Sequence, residues 1–232
     1  MIQRMLTGGL IAGFAAGLLA AFLHFAFIQD LILLGEGYET GTLMHDAAGA
    51  AHGHDAAAEA GTSDGATTDL RRNALTVLFT ALVYSAYGLL MVAGFALAER
   101  FGHRIGLREG LLWGIAGFAA FQMAPALGLA PELPGAVAAP LESRQAWFAA
   151  TIAATAAGLA LIGYGRGLAA YALAAVLLAA PHVIGAPHPE TFGGAAPSGL
   201  AADYAARVLG VGLIVWAALG ALAGRLWSAG PA

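Results

Sequence analysis

The chain has 232 residues, is 59% hydrophobic and only 10% charged, and sets 10 Lys+Arg against 14 Asp+Glu for a formal net charge of −4. Soluble domains run near a quarter charged, so this is a membrane composition, and it leaves no room for a sizeable second domain. Every basic residue is arginine: without lysine there is no Walker A loop to power transport by ATP, and without cysteine there are no disulfides, iron–sulfur clusters or thiolate metal sites.

A helix needs roughly 20 apolar residues to cross the hydrocarbon core. The first stretch to meet this is Leu6–Ile28, with Arg4 ahead of it and His24 as its only ionisable group. Its apolar run exceeds the usual signal-peptide core, so it is read as an anchor. Gly9, Gly13 and Gly17 recur every four residues, as do Gly110 with Gly114 and Gly220 with Gly224. This spacing lets helix backbones approach closely in lipid, and it is taken as ordinary packing surface rather than a dimer code. His24 lies about one turn from the outer end. It is either a group facing the bundle interior or a side chain reaching the headgroups.

Residues 30–72 read as an external loop that starts with acids, Glu39 among them, and continues through His45-Asp46 and His52-Gly53-His54-Asp55. Its second half is too poor in large apolar residues to bury a core. A short helix over Ala47–Ala60 would place His52, Asp55 and Glu59 on one face. Imidazole with carboxylate suits borderline divalent ions such as zinc, nickel and cobalt. The alternative is a solvated segment that binds metal loosely or not at all.

Asn73–Ala98 is the second span and Gly110–Ala130 the third. Within the third, Pro125 lacks an N–H and frees the carbonyl of Phe121, while Gln122 and Met123 add weak ligand atoms. That pattern lines a pathway or merely kinks and packs a helix. Glu132 and Glu142 flank the outer turn that follows. Gln145–Tyr164 and Gly167–Ala186 form a pair hinged at Gly165-Arg166-Gly167. At the outer end of the pair, Pro181-His182 leads into Pro187-His188-Pro189-Glu190. The prolines are expected to stop a regular helix there and leave carbonyls free beside two imidazoles and a carboxylate, which a cation mouth requires. A histidine hydrogen-bonded at the interface is the alternative. Val208–Gly224 is the last and shortest span.

With the N-terminus inside, the inner connections hold Arg4, Arg100, Arg104, Arg108, Arg166 and Arg225, and the outer ones Arg71, Arg72, Arg144 and Arg207. This mild bias favours cytoplasmic N- and C-termini. Of the acids, only Glu99 and Glu109 then lie inside.

The stretch from Gly110-Leu-Leu-Trp-Gly-Ile-Ala-Gly-Phe to Ala124-Pro-Ala-Leu-Gly-Leu-Ala-Pro-Glu-Leu-Pro-Gly135, and the segment Pro181-His-Val-Ile-Gly-Ala-Pro-His-Pro-Glu190, resemble the CbtA family, the probable cobalt transporter subunit. The opening is similar too, with a glycine-rich span followed by Leu31-Ile32-Leu33 and Tyr38-Glu39 ahead of a histidine-bearing loop. The resemblance implies a subunit that supplies cobalt for cobalamin biosynthesis beside CbtB, a small one-span protein with a histidine-rich end. Family members are generally described with five spans, against the six read here.

The expectation is therefore an all-α, polytopic integral membrane bundle of about five to six transmembrane helices, forming one domain over residues 1–232 in the inner cell membrane. It is not an enzyme, holds no permanent cofactor, binds no nucleic acid, and has the bilayer and a CbtB-type subunit as partners, with a homo-oligomer compatible. Co2+ is the expected cargo, on the resemblance alone, with Ni2+ its nearest competitor. The residues expected to handle metal are His182, His188, Glu190, His24, His45, His52, His54, Asp55, Glu39 and Met123. Two rivals stand: a haem protein with His24 and His182 as axial ligands, and a metal-sensing subunit without a pore.

Overall fold

The computed structural model describes residues 2–44 and 63–229. In chain order its helices are α1 (Ile2–Phe27), α2 (Gln29–Glu39), α3 (Ser63–Arg100), α4 (Leu107–Phe118), α5 (Ala124–Ala126), α6 (Leu141–Tyr164), α7 (Leu168–Ile184) and α8 (Ser198–Ser228), with a π-helical turn over Ala119–Met123 joining α4 to α5. No strand occurs among the described residues; Ala136 and Gly194 form one isolated antiparallel bridge. The chain is an all-α membrane bundle.

Among the described residues four stretches are long and apolar enough to cross a bilayer: Leu6–Phe27, Asp69–Arg100, Leu141–Tyr164 and Ser198–Ser228. At 1.5 Å per residue, α7 with its 17 residues reaches about 25 Å, a little short of the hydrocarbon core. The third predicted span, Gly110–Ala130, is helical only as far as Ala126 and is divided by the π turn. The last span is longer than 208–224. Alanine-rich sequence carries α8 back to Ser198, and the Arg207–Asp203 pair at 2.8 Å supports its first turns.

The outer segment is less of a loop than residues 30–72 suggest. The run Leu31-Ile32-Leu33-Leu34 lies in helix α2, which buries Leu31 and Gly35, and α3 begins at Ser63. The expected helix over Ala47–Ala60 lies outside the described residues, as do His45, His52, His54 and Asp55.

Glycine decides which helices touch. Gly9, Gly13 and Gly17 of α1 lie on Gly88, Ser85 and Ala81 of α3, so close that a Cβ on Gly13 would meet the Tyr84 carbonyl oxygen. Gly110 and Gly114 of α4 cross Gly220 and Gly224 of α8 in the same way. The stripes are thus intramolecular packing surfaces, and both pairs run antiparallel. With α1 also on α8, these four helices form one core, centred on the fully buried Phe95, Val215 and Leu219. Helices α6 and α7 make a separate hairpin, in which Gly158 faces Ala174 and Leu178. It meets the core mainly where α6 touches the π turn and α5.

Candidate cation pathway

The antiparallel pairing sorts the connections to two ends. At the upper end α2 lies against the 128–140 connection, with Gly35 beside Leu133 and Pro134. That connection in turn bonds the 185–197 segment, through Val137 N–H to the Gly193 carbonyl (3.0 Å) and Ala195 N–H to the Gly135 carbonyl (3.2 Å). The stem of Glu39 lies at Gly135 beside Ala195. Glu39, His188 and Glu190 therefore belong to one cluster of connections. All three are exposed, and the His188 ring leans on Phe192 at 5.5 Å between centroids. The lower end carries the start of α1, the α3–α4 and α6–α7 connections and the end of α8, with Arg100, Arg104, Arg108, Arg166 and Arg225.

Pro181 does not stop α7. It lies inside the helix, which runs on to Ile184 and ends at Gly185, where φ is +88°. Losing one donor is tolerated within the last turns, whereas a left-handed residue ends the helix, and only glycine adopts that readily. The Pro181 carbonyl is not free either, since it accepts from Gly185 N–H (3.0 Å) and Trp147 Nε1–H (3.1 Å). His182 is exposed and stands edge-on to Trp147 at 6.2 Å. His24 is half-buried one turn below the end of α1, where Arg207 donates to the Phe27 carbonyl at 3.1 Å. Helix α1 packs on α3, α8 and α2, whereas α7 packs on α6, so the helices carrying His24 and His182 share no face. Axial ligation of a haem between those two helices has no support in this packing. Among the described residues, no three His, Asp or Glu side chains are grouped to hold a metal ion.

Two grooves run between the core and α6. The upper one, about 540 Å3, opens beside the Glu132–Arg144 ion pair (2.7 Å) and descends past Gln145 to Gln122. The lower one, about 840 Å3, is largely apolar and reaches Glu109 and Tyr164 at the lower end. Both are lined by Tyr87 and Phe121, so they meet at one level. An aromatic layer closes that level: Tyr87 lies 4.8 Å and Phe121 5.4 Å from Trp216, and Tyr87 lies 5.3 Å from Phe121, centroid to centroid.

Beside this layer the π turn changes which backbone and side-chain groups are presented. Ala124 N–H bonds the Ala119 carbonyl, five residues back. The Ala120 carbonyl thereby loses its α-type donor, and its π-type donor would be Pro125, which has none. The carbonyl freed by this geometry is Ala120's, where a regular helix would have freed Phe121's. The turn also separates two neighbours: Gln122 lines the upper groove, while Met123 is 41% exposed and lines neither groove. Gln122 Oε1 and Trp216 Nε1 are buried without a hydrogen-bond partner among the described residues. Unpaired buried polar atoms are uncommon and call for an explanation. Sequence reasoning had Gln122 only as Met123's companion, and passed over Tyr87 and Trp216, which carry no signal outside their packing.

The family model described as "Probable cobalt transporter subunit (CbtA)" matches residues 2–228. The chain belongs to the CbtA family. No curated protein and no solved structure matches it. As a member of a transporter-subunit family with several apolar helices, the CbtA chain is a membrane-embedded transport component, and "subunit" implies a partner.

Proposed function

We propose that this CbtA chain takes a divalent cation, Co2+, from the upper end of the bundle and delivers it at the lower end, supplying cobalamin biosynthesis together with a small one-span subunit. The observation that carries this reading is the pair of grooves meeting at Tyr87 and Phe121 beside an unpaired Gln122 carbonyl. Capture falls to the exposed groups at the upper end, namely Glu39, His182, His188 and Glu190, with His24 below them and with His45, His52, His54 and Asp55 of the preceding segment. Imidazole and carboxylate exchange a borderline cation among themselves without the grip of a closed site. Gln122 and the Ala120 carbonyl then offer neutral oxygens at the depth where a bare dication is most costly. Met123, outside both grooves, takes no step. The upper end is the cell exterior in this reading, so an inside-negative potential contributes roughly 2.3 kcal/mol per charge per 100 mV, doubled for a dication.

Affinity rises from cobalt to nickel at such ligands, so binding strength does not select cobalt. Uptake of radioactive cobalt by cells expressing the chain, with and without the one-span subunit and with nickel as competitor, tests the proposal. Cobalt accumulation that depends on the chain is expected, as is growth on endogenously made cobalamin at limiting cobalt. A chain that raises neither sinks it, and preferential nickel uptake reassigns the cargo.

A further inference from the structure

Helix α6 is the wall common to both grooves. Arg144, Gln145 and Phe148 face the upper one, and Ile152, Ala156 and Leu159 continue the same helical stripe along the lower. Its other stripe, Trp147, Thr151, Thr155 and Gly158, is buried, and Gly158 and Trp147 tie it to α7. The hairpin therefore moves as one body if it moves at all. The opposing wall of the lower groove belongs mainly to the glycine-packed core, where backbone lies on backbone and little sliding is open, and that of the upper groove is completed by the π turn, α5 and the start of the 128–140 connection. Among the described residues two side-chain hydrogen bonds tie the hairpin to its surroundings, one at each mouth, the upper one to the 128–140 connection and the lower one to α4 of the core. Arg144 bonds Glu132 (2.7 Å) at the top, and Trp113 Nε1–H donates to the Tyr164 hydroxyl (2.8 Å) at the bottom. Between them α6 rests on the π turn and α5, at the level of the aromatic layer. A lever touching its support at mid-length and fastened at both ends opens one end only by closing the other.

We propose that Glu132–Arg144 and Trp113–Tyr164 are opposed latches on an α6–α7 hairpin that rocks over the π turn, exposing the upper and lower grooves alternately. The state described above has both latches closed. The inference deepens the reading of the grooves as two halves of one pathway. Each latch is a single bond near water, weak enough to be exchanged for solvent during a transport cycle.

The natural chain has no cysteine, so single cysteines report on each groove without background. The full-length chain carries Phe148→Cys or Ala160→Cys, which line the upper and lower grooves. In lipid nanodiscs both mouths see one solution, and the rate of reaction with a water-soluble maleimide is measured for each. Glu132→Gln is expected to raise the rate at 148 about two- to fivefold and to lower it at 160. Tyr164→Phe is expected to do the reverse. The double exchange Glu132→Arg with Arg144→Glu restores both rates, which separates latch loss from misfolding. Rates that change only at the loosened mouth, change in the same direction at both, or do not change overturn the proposal. No cobalt enters this measurement. Reciprocal rates in a chain that moves no cobalt would keep the rocking and sink the transport reading, whereas transport without reciprocity would sink the latches alone.

Discussion

Gln122 and His182 pose opposite questions at the scale of single residues. Gln122 Oε1 is buried with no hydrogen-bond partner among the described residues, beside Gly212, where there is room for it only because no side chain stands there. An unsatisfied buried acceptor costs about 1–3 kcal/mol, so Gln122→Leu, which keeps the volume, is expected to leave thermal stability unchanged or raise it. Cobalt uptake by the same variant is expected to fall at least tenfold, on the order of the 1.4 kcal/mol that one neutral oxygen supplies to a passing cation. A Gln122→Leu chain that transports normally removes this residue from the pathway. His182 is exposed, and its fold contacts are modest. His182→Ala is accordingly expected to abolish uptake while the protein remains folded in the membrane. His182→Gln keeps a hydrogen-bonding group but no imidazole; if it transports metal as well as the natural chain, His182 is an interface residue and not a ligand. Because imidazole binds metal only when neutral, uptake through these histidines should weaken on acidification.

At the scale of the helices, the glycine stripes matter more than their frequency in so glycine-rich a chain suggests. A Cβ on Gly13 or Gly114 would collide with backbone atoms of the facing helix, and backbone cannot rotate away as a side chain can. Gly13→Ala and Gly114→Ala are each expected to cost about 1–3 kcal/mol, read as a lowered unfolding temperature in detergent. Gly210→Ala is the contrasting case, since nothing lies within 4 Å of its Cβ position. It should leave the midpoint unchanged or raise it, because alanine is the better helix former. Equal effects at 114 and 210 would mean that the core is not held by close approach. The spacing of these glycines was legible in the chain, but their partners were not. A repeat of four states only that a face is thin, and nothing in it names the helix that fills the gap.

For the molecule as a whole, the two ends differ in chemistry, with most acids and imidazoles above and most arginines below. Ala50→Cys and Ala195→Cys are expected to react with an impermeant thiol reagent outside intact cells, and His103→Cys is not. Labelling at 103 would invert the orientation and with it the direction of transport. Replacing His45, His52 and His54 together by alanine should raise the cobalt concentration for half-maximal uptake and leave the maximal rate nearly unchanged, as befits capture ahead of the pathway. Loss of transport at saturating cobalt would move these residues into the pathway itself.

Helicity, membrane residence and the polarity of the two ends follow from the chain alone, because apolar run length and the placement of arginine between runs are local properties that lipid reads directly. Even the proline at 125 announced a break in the third span. Which carbonyl the break frees, and whether Gln122 or Met123 faces the groove, depends on one extra residue in a π turn. That residue is decided by how α4 settles against α8 and α6. The aromatic layer joins α3 to α8 across more than a hundred residues of chain, and the two opposed latches bridge separations of 12 and 51 residues. Such contacts have no periodicity and no motif, since each side chain there is ordinary until its neighbour is in place, and only the tertiary structure supplies the neighbour.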